Sequence, residues 1–132
     1  MKTLKIRTNA RTQMVNITSQ VQNEVQAMGL ADGFCCVYVP HTTAGVFINE
    51  GADPSVMEDM ENALDRLVPW NGPYRHSEGN AAAHVKATLV GESVTVIVQN
   101  GRLQLGTWQA VFFAEFDGPR SRTVWIHAVP GS

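Results

Sequence analysis

The chain has 132 residues, of which 44% are hydrophobic and 17% charged, with a formal net charge of -2. One globular domain over residues 1–132 accounts for that length, and the near-neutral charge lacks the basic footprint of a nucleic-acid binder. No apolar run approaches the roughly 20 residues of a membrane helix. A charge content this low also points to surface hidden in an oligomer.

The first seven residues alternate apolar and charged positions and lack the uninterrupted apolar core of a signal peptide, so they read as a strand with Leu4 and Ile6 on one face. Residues 9–13 form a polar turn, and a short second strand at 14–17 is expected to pair with the first. Thr18 or Ser19 then caps a helix, with Ser19 and Gln22 at capping-box spacing. Val21, Val25 and Met28 give that helix one apolar face, and Gly29 stops it. Residues 33–39 are nearly all apolar and β-prone, which predicts a central strand covered on both faces. Within it Cys35 and Cys36 are adjacent, point to opposite faces and cannot form an ordinary disulfide. With no secretion signal in view, this favours the cytoplasm.

Strand character resumes at 46–48. Asp53-Pro54 then starts a second helix as N-cap and first helical residue, and Val56, Met60, Ala63, Leu64 and Leu67 form its apolar stripe. A loop over 70–74 leads to a third helix from Ala81 to about Val90, capped by Asn80 and closed by Gly91. Residues 94–98 are a strand, Asn100-Gly101 is a two-residue hairpin turn, and 102–105 is the return strand. Two more strands follow at 110–116 and 123–129. The sum, about eight strands and three helices with hairpins late in the chain, predicts an α+β fold with largely antiparallel sheets. No glycine-rich strand-to-helix fingerprint for a nucleotide cofactor occurs.

The densest chemistry lies in residues 76–84, where His76, Glu78, Asn80 and His84 are separated mainly by small residues. Asn80, His84 and Thr88 share one face of the third helix, whose N-terminus is a seat for phosphate. His-x7-His is not a zinc signature, so Asn80 read alone is equally a cap and His84 an interfacial histidine. His41-Thr42-Thr43-Ala44-Gly45 ends a buried strand and offers an imidazole and two hydroxyls to an anion, or else forms a plain turn. Glu50 follows an apolar strand and reads evenly as metal ligand or general base and as a solvated acid. Arg120 and Arg122 alternate along an extended segment, where they would clamp a phosphate or form surface ion pairs with Glu115 and Asp117. Gln109 is placed to reach a polar ligand, Trp108 reads as core or interface, and His127 reads as structural. Cys35 and Cys36 sit in apolar surroundings that raise a thiol pKa rather than activate it.

Taken in order, His41-Thr42-Thr43-Ala44, Asn49-Glu50 with Asp53-Pro54, His76 with Glu78-Gly79-Asn80 and His84, Asn100-Gly101, Leu105-Gly106-Thr107-Trp108-Gln109 and Glu115-Phe116-Asp117-Gly118-Pro119-Arg120 closely resemble the YjbQ-like family. Its members carry the name secondary thiamine-phosphate synthase enzymes, and the resemblance covers nearly the whole chain. It implies a homotrimer with polar clefts between subunits. It also implies a weak transferase activity joining hydroxymethylpyrimidine diphosphate to a thiazole phosphate, in some members with a divalent metal, zinc or magnesium. By that resemblance His41, His76 and His84 are metal or substrate residues. Glu50, Glu78, Asn80, Gln109 and Arg120 become its cleft residues. The residues themselves add the expected roles: Glu50 or Glu78 moves the proton, and Thr42, Thr43, Arg120 and Arg122 hold a phosphorylated metabolite. A trimeric protein that binds the metal or metabolite without chemistry is the alternative expectation.

Overall fold

The computed structural model describes residues 1–131. Its elements run β1 (Lys2–Arg7), β2 (Gln13–Asn16), α1 (Thr18–Ala27), β3 (Gly33–Tyr38), β4 (Ala44–Glu50), α2 (Pro54–Leu67), α3 (Ala81–Val90), β5 (Ser93–Gln99), β6 (Arg102–Leu103), β7 (Gln109–Glu115) and β8 (Ser121–Pro130). The strand pairings are antiparallel, so the chain is the α+β domain that its pattern predicts.

The strands make two sheets, ordered β1-β8-β3-β5-β6 and β2-β7-β4. The main core lies between them. Cys35, Val37, Val98 and Ile126 of the first sheet join Val46, Val111 and Phe113 of the second and Val21 and Val25 of α1. On the far side of the second sheet, Ala83 and Ala87 of α3 pack on Ala114 and Phe116, beside Leu64 of α2. Small residues set that spacing. A Cβ on Gly45 would lie 2.6 Å from the carbonyl oxygen of Gly91, so β4 can approach the end of α3 only with glycine there.

Several local expectations are met by a visible cause. Asp53 caps α2, accepting from the Ser55 N–H at 3.0 Å and its hydroxyl at 2.7 Å. Asn100 and Gly101 both have positive φ, 53° and 75°, as the tight hairpin between β5 and β6 requires.

Others are corrected. The strand at 14–17 pairs with β7, not with β1, whose partner is β8. The polar segment between them is a crossing from one sheet to the other, held by the Gly118 N–H on the Arg11 carbonyl at 3.0 Å. No capping box starts α1. Its cap position is Ile17, and Gln22 instead clips the hairpin through the Gly101 carbonyl and the Leu103 N–H at 2.8 and 3.0 Å. The return strand β6 is only two residues long. Nor is β3 covered on both faces: Phe34 and Tyr38 are 42% and 40% exposed on the outer face, and Ile97 beside them is 66% exposed. An apolar strand sequence cannot distinguish a second covering layer in the same chain from one supplied by another molecule.

Alternation along β3 separates the two cysteines. Cys35 is buried in the core, which pushes its thiol up to about 11, whereas Cys36 is half-buried on the other face. An alkylating reagent at about pH 8 should therefore spare Cys35 in the native protein and label it only after unfolding in urea. Peptide mass mapping checks this, and labelling of Cys35 without urea would contradict it.

Candidate functional site

The site is built where β3, β8, β4 and α3 converge. His41 follows β3, and its Nε2 accepts the Thr123 N–H of β8 at 3.0 Å. That bond leaves the neutral ring's proton on Nδ1. Burial, and then the charge of Arg122, hold the His41 pKa below its ordinary 6.5, so the ring is neutral at pH 7. Next to it Tyr38 and Trp125, partners in the strand register, stack with centroids 5.8 Å apart and an interplanar angle of 11°.

Beneath this end lies a buried polar network. Glu115 is fully buried and Arg122 is 3% exposed. Arg122 Nε donates to Glu115 Oε1 at 2.9 Å, and its Nη2 donates to Glu115 Oε2 and to the Thr43 hydroxyl at 2.8 Å. The buried Thr8 hydroxyl donates to Glu115 Oε1 at 2.8 Å, and the Asp117 N–H donates to Oε2 at 3.1 Å. Burial alone would raise the Glu115 pKa, but the bonds from Arg122, Asp117 and Thr8 outweigh it and hold the carboxyl below 4.5. The ion pair expected at the surface is thus in the interior, and Arg122 is mainly its own cleft's foundation. Gly118 is required here, since a Cβ would lie 2.3 Å from the Ala10 carbonyl and 2.9 Å from Glu115 Cγ.

From this floor the network reaches α3. Arg120, exposed, donates from Nε to the Asp117 carbonyl at 2.9 Å and from Nη2 to Asp117 Oδ2 at 3.2 Å. Asp117 Oδ2 also accepts the Asn80 amide at 2.8 Å. Asn80 therefore holds the N-cap position without capping through its side chain, and its buried Oδ1 has no partner among the described residues. Along α3, the rings of His84 and His76 meet edge to face at 5.2 Å, and His76 Nε2 lies 3.7 Å from the Glu78 carboxylate.

Two adjoining lobes open over these groups and share His41, Thr42 and Glu92 as walls. One, of about 590 Å³, adds Tyr38, Trp125, Arg120 and Arg122; the other, of about 330 Å³, adds His84 and Thr88. A separate cavity of about 500 Å³ near Met1, Met28 and His127 holds no other residue singled out by the sequence; His127 itself is exposed.

The structure therefore brings His41, Thr42, Thr43, His84, Arg120 and Arg122 to the two lobes; Asn80 is tied to Arg120 through Asp117, and His76 and Glu78 stand beside His84 outside the lobes. It sets Glu50 and Gln109 apart. They are register partners at the far end of β4, some 20 Å along the strand from Ala44 at ~3.3 Å per residue. There the Glu50 carboxylate accepts the Ala52 N–H at 2.8 Å, and neighbouring Trp108 is 64% exposed, which excludes the core and leaves the interface. Thr8, Glu92 and the Tyr38–Trp125 stack were not singled out from the sequence. Only Glu115, an acid inside an apolar strand, carried a readable signal of a buried partner.

The sequence model of the family described as UPF0047 protein YjbQ-like matches residues 2–131. The chain belongs to the YjbQ-like family. The UPF0047 protein YugU of Bacillus subtilis is 52% identical over 127 residues, covering 96% of either chain. A UPF0047 protein of Methanocaldococcus jannaschii is 48% identical, over 95% of this chain and 91% of its own. A crystal structure of a YjbQ/UPF0047 family protein from Clostridium acetobutylicum superposes with a TM-score of 0.96 at 45% identity, covering 98% of this chain and all of that one. The YjbQ-like fold is thus shared across the full length of the domain.

In this YjbQ-like chain both site shifts act on stability with the same sign. Glu115 titrates below 4.5 when folded, so its stabilisation is complete above that value and is lost as pH falls through the folded pKa. His41 titrates below 6.5 when folded, so under acid the unfolded chain binds its proton first. Stability should therefore fall continuously from about pH 7 towards about pH 4, read as the urea midpoint. His41→Gln should flatten the upper part of that profile, and an unchanged upper part would contradict the assignment.

Proposed function

We propose that the cleft binds a phosphorylated nitrogen heterocycle and that the protein is a thiamine-phosphate-synthase-like transferase. It would transfer the pyrimidinylmethyl group of hydroxymethylpyrimidine diphosphate to the ring nitrogen of a thiazole phosphate in the cytoplasm, forming the C–N bond as the C–O bond to the diphosphate breaks and pyrophosphate leaves. The observation that carries this reading is the convergence of neutral His41, Thr42, Arg120 and His84 around lobes that also present the Tyr38–Trp125 stack. Arg120 and the hydroxyls suit phosphate oxygens, and the stacked rings suit a planar base.

A divalent metal fits part of the donor set. His76 and His84 lie ring to ring beside Glu78, a nitrogen-rich set that suits zinc better than magnesium. His41, with Nε2 engaged by Thr123, offers only Nδ1. Among the described residues, no three His, Cys, Asp or Glu side chains are gathered closely enough within one chain to hold an ion. Within one chain His76 and His84 would thus supply two of the ligands of such an ion, and the ion would neutralise diphosphate charge.

Glu50 and Gln109 join the same cleft only if another copy supplies them. A homotrimer would do so, and would cover the apolar outer face of Phe34, Tyr38 and Ile97. No helix among the described residues is long and apolar enough to cross a membrane.

The test is turnover of the two precursors by the purified protein, with thiamine phosphate measured as its fluorescent oxidation product. His84→Ala and Arg120→Ala should each lower the rate by at least about tenfold. Absence of product from the unaltered protein, or undiminished product from His84→Ala, would end the transferase reading. The placement of Glu50 outside the cleft favours a second reading, a binding protein without chemistry. It predicts thermal stabilisation by the diphosphate, roughly 2.7 kcal/mol at a hundredfold excess over Kd, with no product formed.

A further inference from the structure

We infer that a second, separate compartment for an uncharged planar nitrogen heterocycle lies on the other side of the histidine pair, walled by Trp70, Tyr74 and His76. The cavity there is about 400 Å³, within the range of small-molecule sites, and its remaining walls are mostly the glycine- and proline-rich loop and the start of α3. None of its walls is an aspartate, glutamate, lysine or arginine. It thus has the π surface for a ring and lacks the cations for a phosphate.

The loop that forms it is held in shape. The Tyr74 hydroxyl donates to the Pro69 carbonyl at 2.6 Å, and the Tyr74 N–H donates to the Gly72 carbonyl at 2.8 Å. The phenol ring lies flush on Gly72, where an added Cβ would be 2.8 Å from Tyr74 Cε2. The Arg11 guanidinium sits 4.1 Å from the centre of the Trp70 ring and is not a wall of the cavity, so it braces the indole from elsewhere. Trp and Tyr faces are electron-rich, which favours an electron-poor ring between them.

What gives this compartment a purpose is its position. His76 is one of its walls, His84 is a wall of the phosphate cleft, and the two rings are 5.2 Å apart. Two cavities therefore meet at one imidazole pair, the arrangement needed to bring two ring-bearing ligands together. In this the inference rests on the transferase reading, and it adds where the second ring is received.

The test titrates 4-aminopyrimidine, which carries no phosphate, into the full-length protein and follows the indole N–H resonances by NMR. The expected result is a saturable shift at Trp70, independent of any shift at Trp125. Tyr74→Leu and Gly72→Ala, the second displacing the phenol without removing it, should each weaken binding by about tenfold. Arg120→Ala and saturating pyrophosphate should leave it unchanged. Shifts at Trp125 instead, full affinity in both loop variants, or displacement by pyrophosphate would overturn the second compartment. Pyrophosphate binding without aminopyrimidine binding removes this inference alone. Aminopyrimidine binding without pyrophosphate binding removes the phosphate cleft and leaves this compartment standing.

Discussion

Replacing Arg122 by alanine should cost the protein about 3–5 kcal/mol and lower its unfolding midpoint by roughly 10–20 °C. The reason is the environment of Glu115. Its side chain is fully buried, and among the described residues Arg122 supplies the only full positive charge in its set of hydrogen-bond donors; Thr8 and the Asp117 N–H supply dipoles. Removing the guanidinium leaves a carboxylate that must either remain charged in the interior or take up a proton. The double replacement Glu115→Leu with Arg122→Met should recover much of that loss, because two desolvated charges disappear together. Thermal unfolding of the two single variants and the double variant reads the coupling directly. A midpoint for Arg122→Ala within a few degrees of the unaltered protein would mean that the pair is not held as described.

A second large effect is expected at the joint between the two helices behind the site. Lys86 is 2% exposed on α3, its ammonium bonded to Asp65 of α2 and 6.0 Å from the centre of the Phe116 ring. Asp65 itself is open to water, its side chain 59% exposed, so the pair is asymmetric. Asp65→Ala strands a buried cation at a cost of about 2 kcal/mol, below the full range for buried pairs because the lost partner is solvated. Glu61 offers partial relief. Burial raises its pKa, while Lys86 draws it down, so it lies close enough to feel the ammonium. Lys86→Met should be far milder than Asp65→Ala, since it removes the buried charge instead of isolating it. Urea midpoints at neutral pH test the order. A more severe effect for Lys86→Met than for Asp65→Ala would contradict it. Because Lys86 lies two residues beyond His84, the same joint fixes how α3 presents the imidazole.

Neither of these networks was fully legible in the sequence, and the reasons are physical. Elements whose signals are local were readable: Asp53 caps a helix by accepting the N–H and hydroxyl of Ser55 two residues on, and Asn100-Gly101 turns a hairpin by its own φ angles. Long-range pairing was not. Nothing local says that Met14 lies beside Ala114 and not beside the first strand, since an alternating strand pairs with any edge its connection reaches. Capping was misread where a side chain had a stronger partner elsewhere. Gln22 and Asn80 both sit at cap spacing, yet one clips Gly101 and Leu103 and the other binds Asp117.

The candidate site followed the same division. Its residue types were visible because histidines, a carboxamide and arginines stood out against an apolar chain. Their grouping was not, because Glu50 and His41 both border β4, one at each end. Burial decided the roles of the arginines: the same alternation that puts Arg120 and Arg122 on one side of a strand leaves one exposed and the other beneath the floor.

The claim that matters most is that the His41–His84 cleft is an anion-binding site centred on Arg120. The most direct measurement is calorimetric titration of inorganic pyrophosphate into the full-length protein at about pH 7.5, repeated with Arg120→Ala and His84→Ala. Saturable binding is expected, with Arg120→Ala weakened by at least about tenfold and His84→Ala weakened as well. Equal affinity in all three proteins, or no binding to the unaltered one, would contradict the claim.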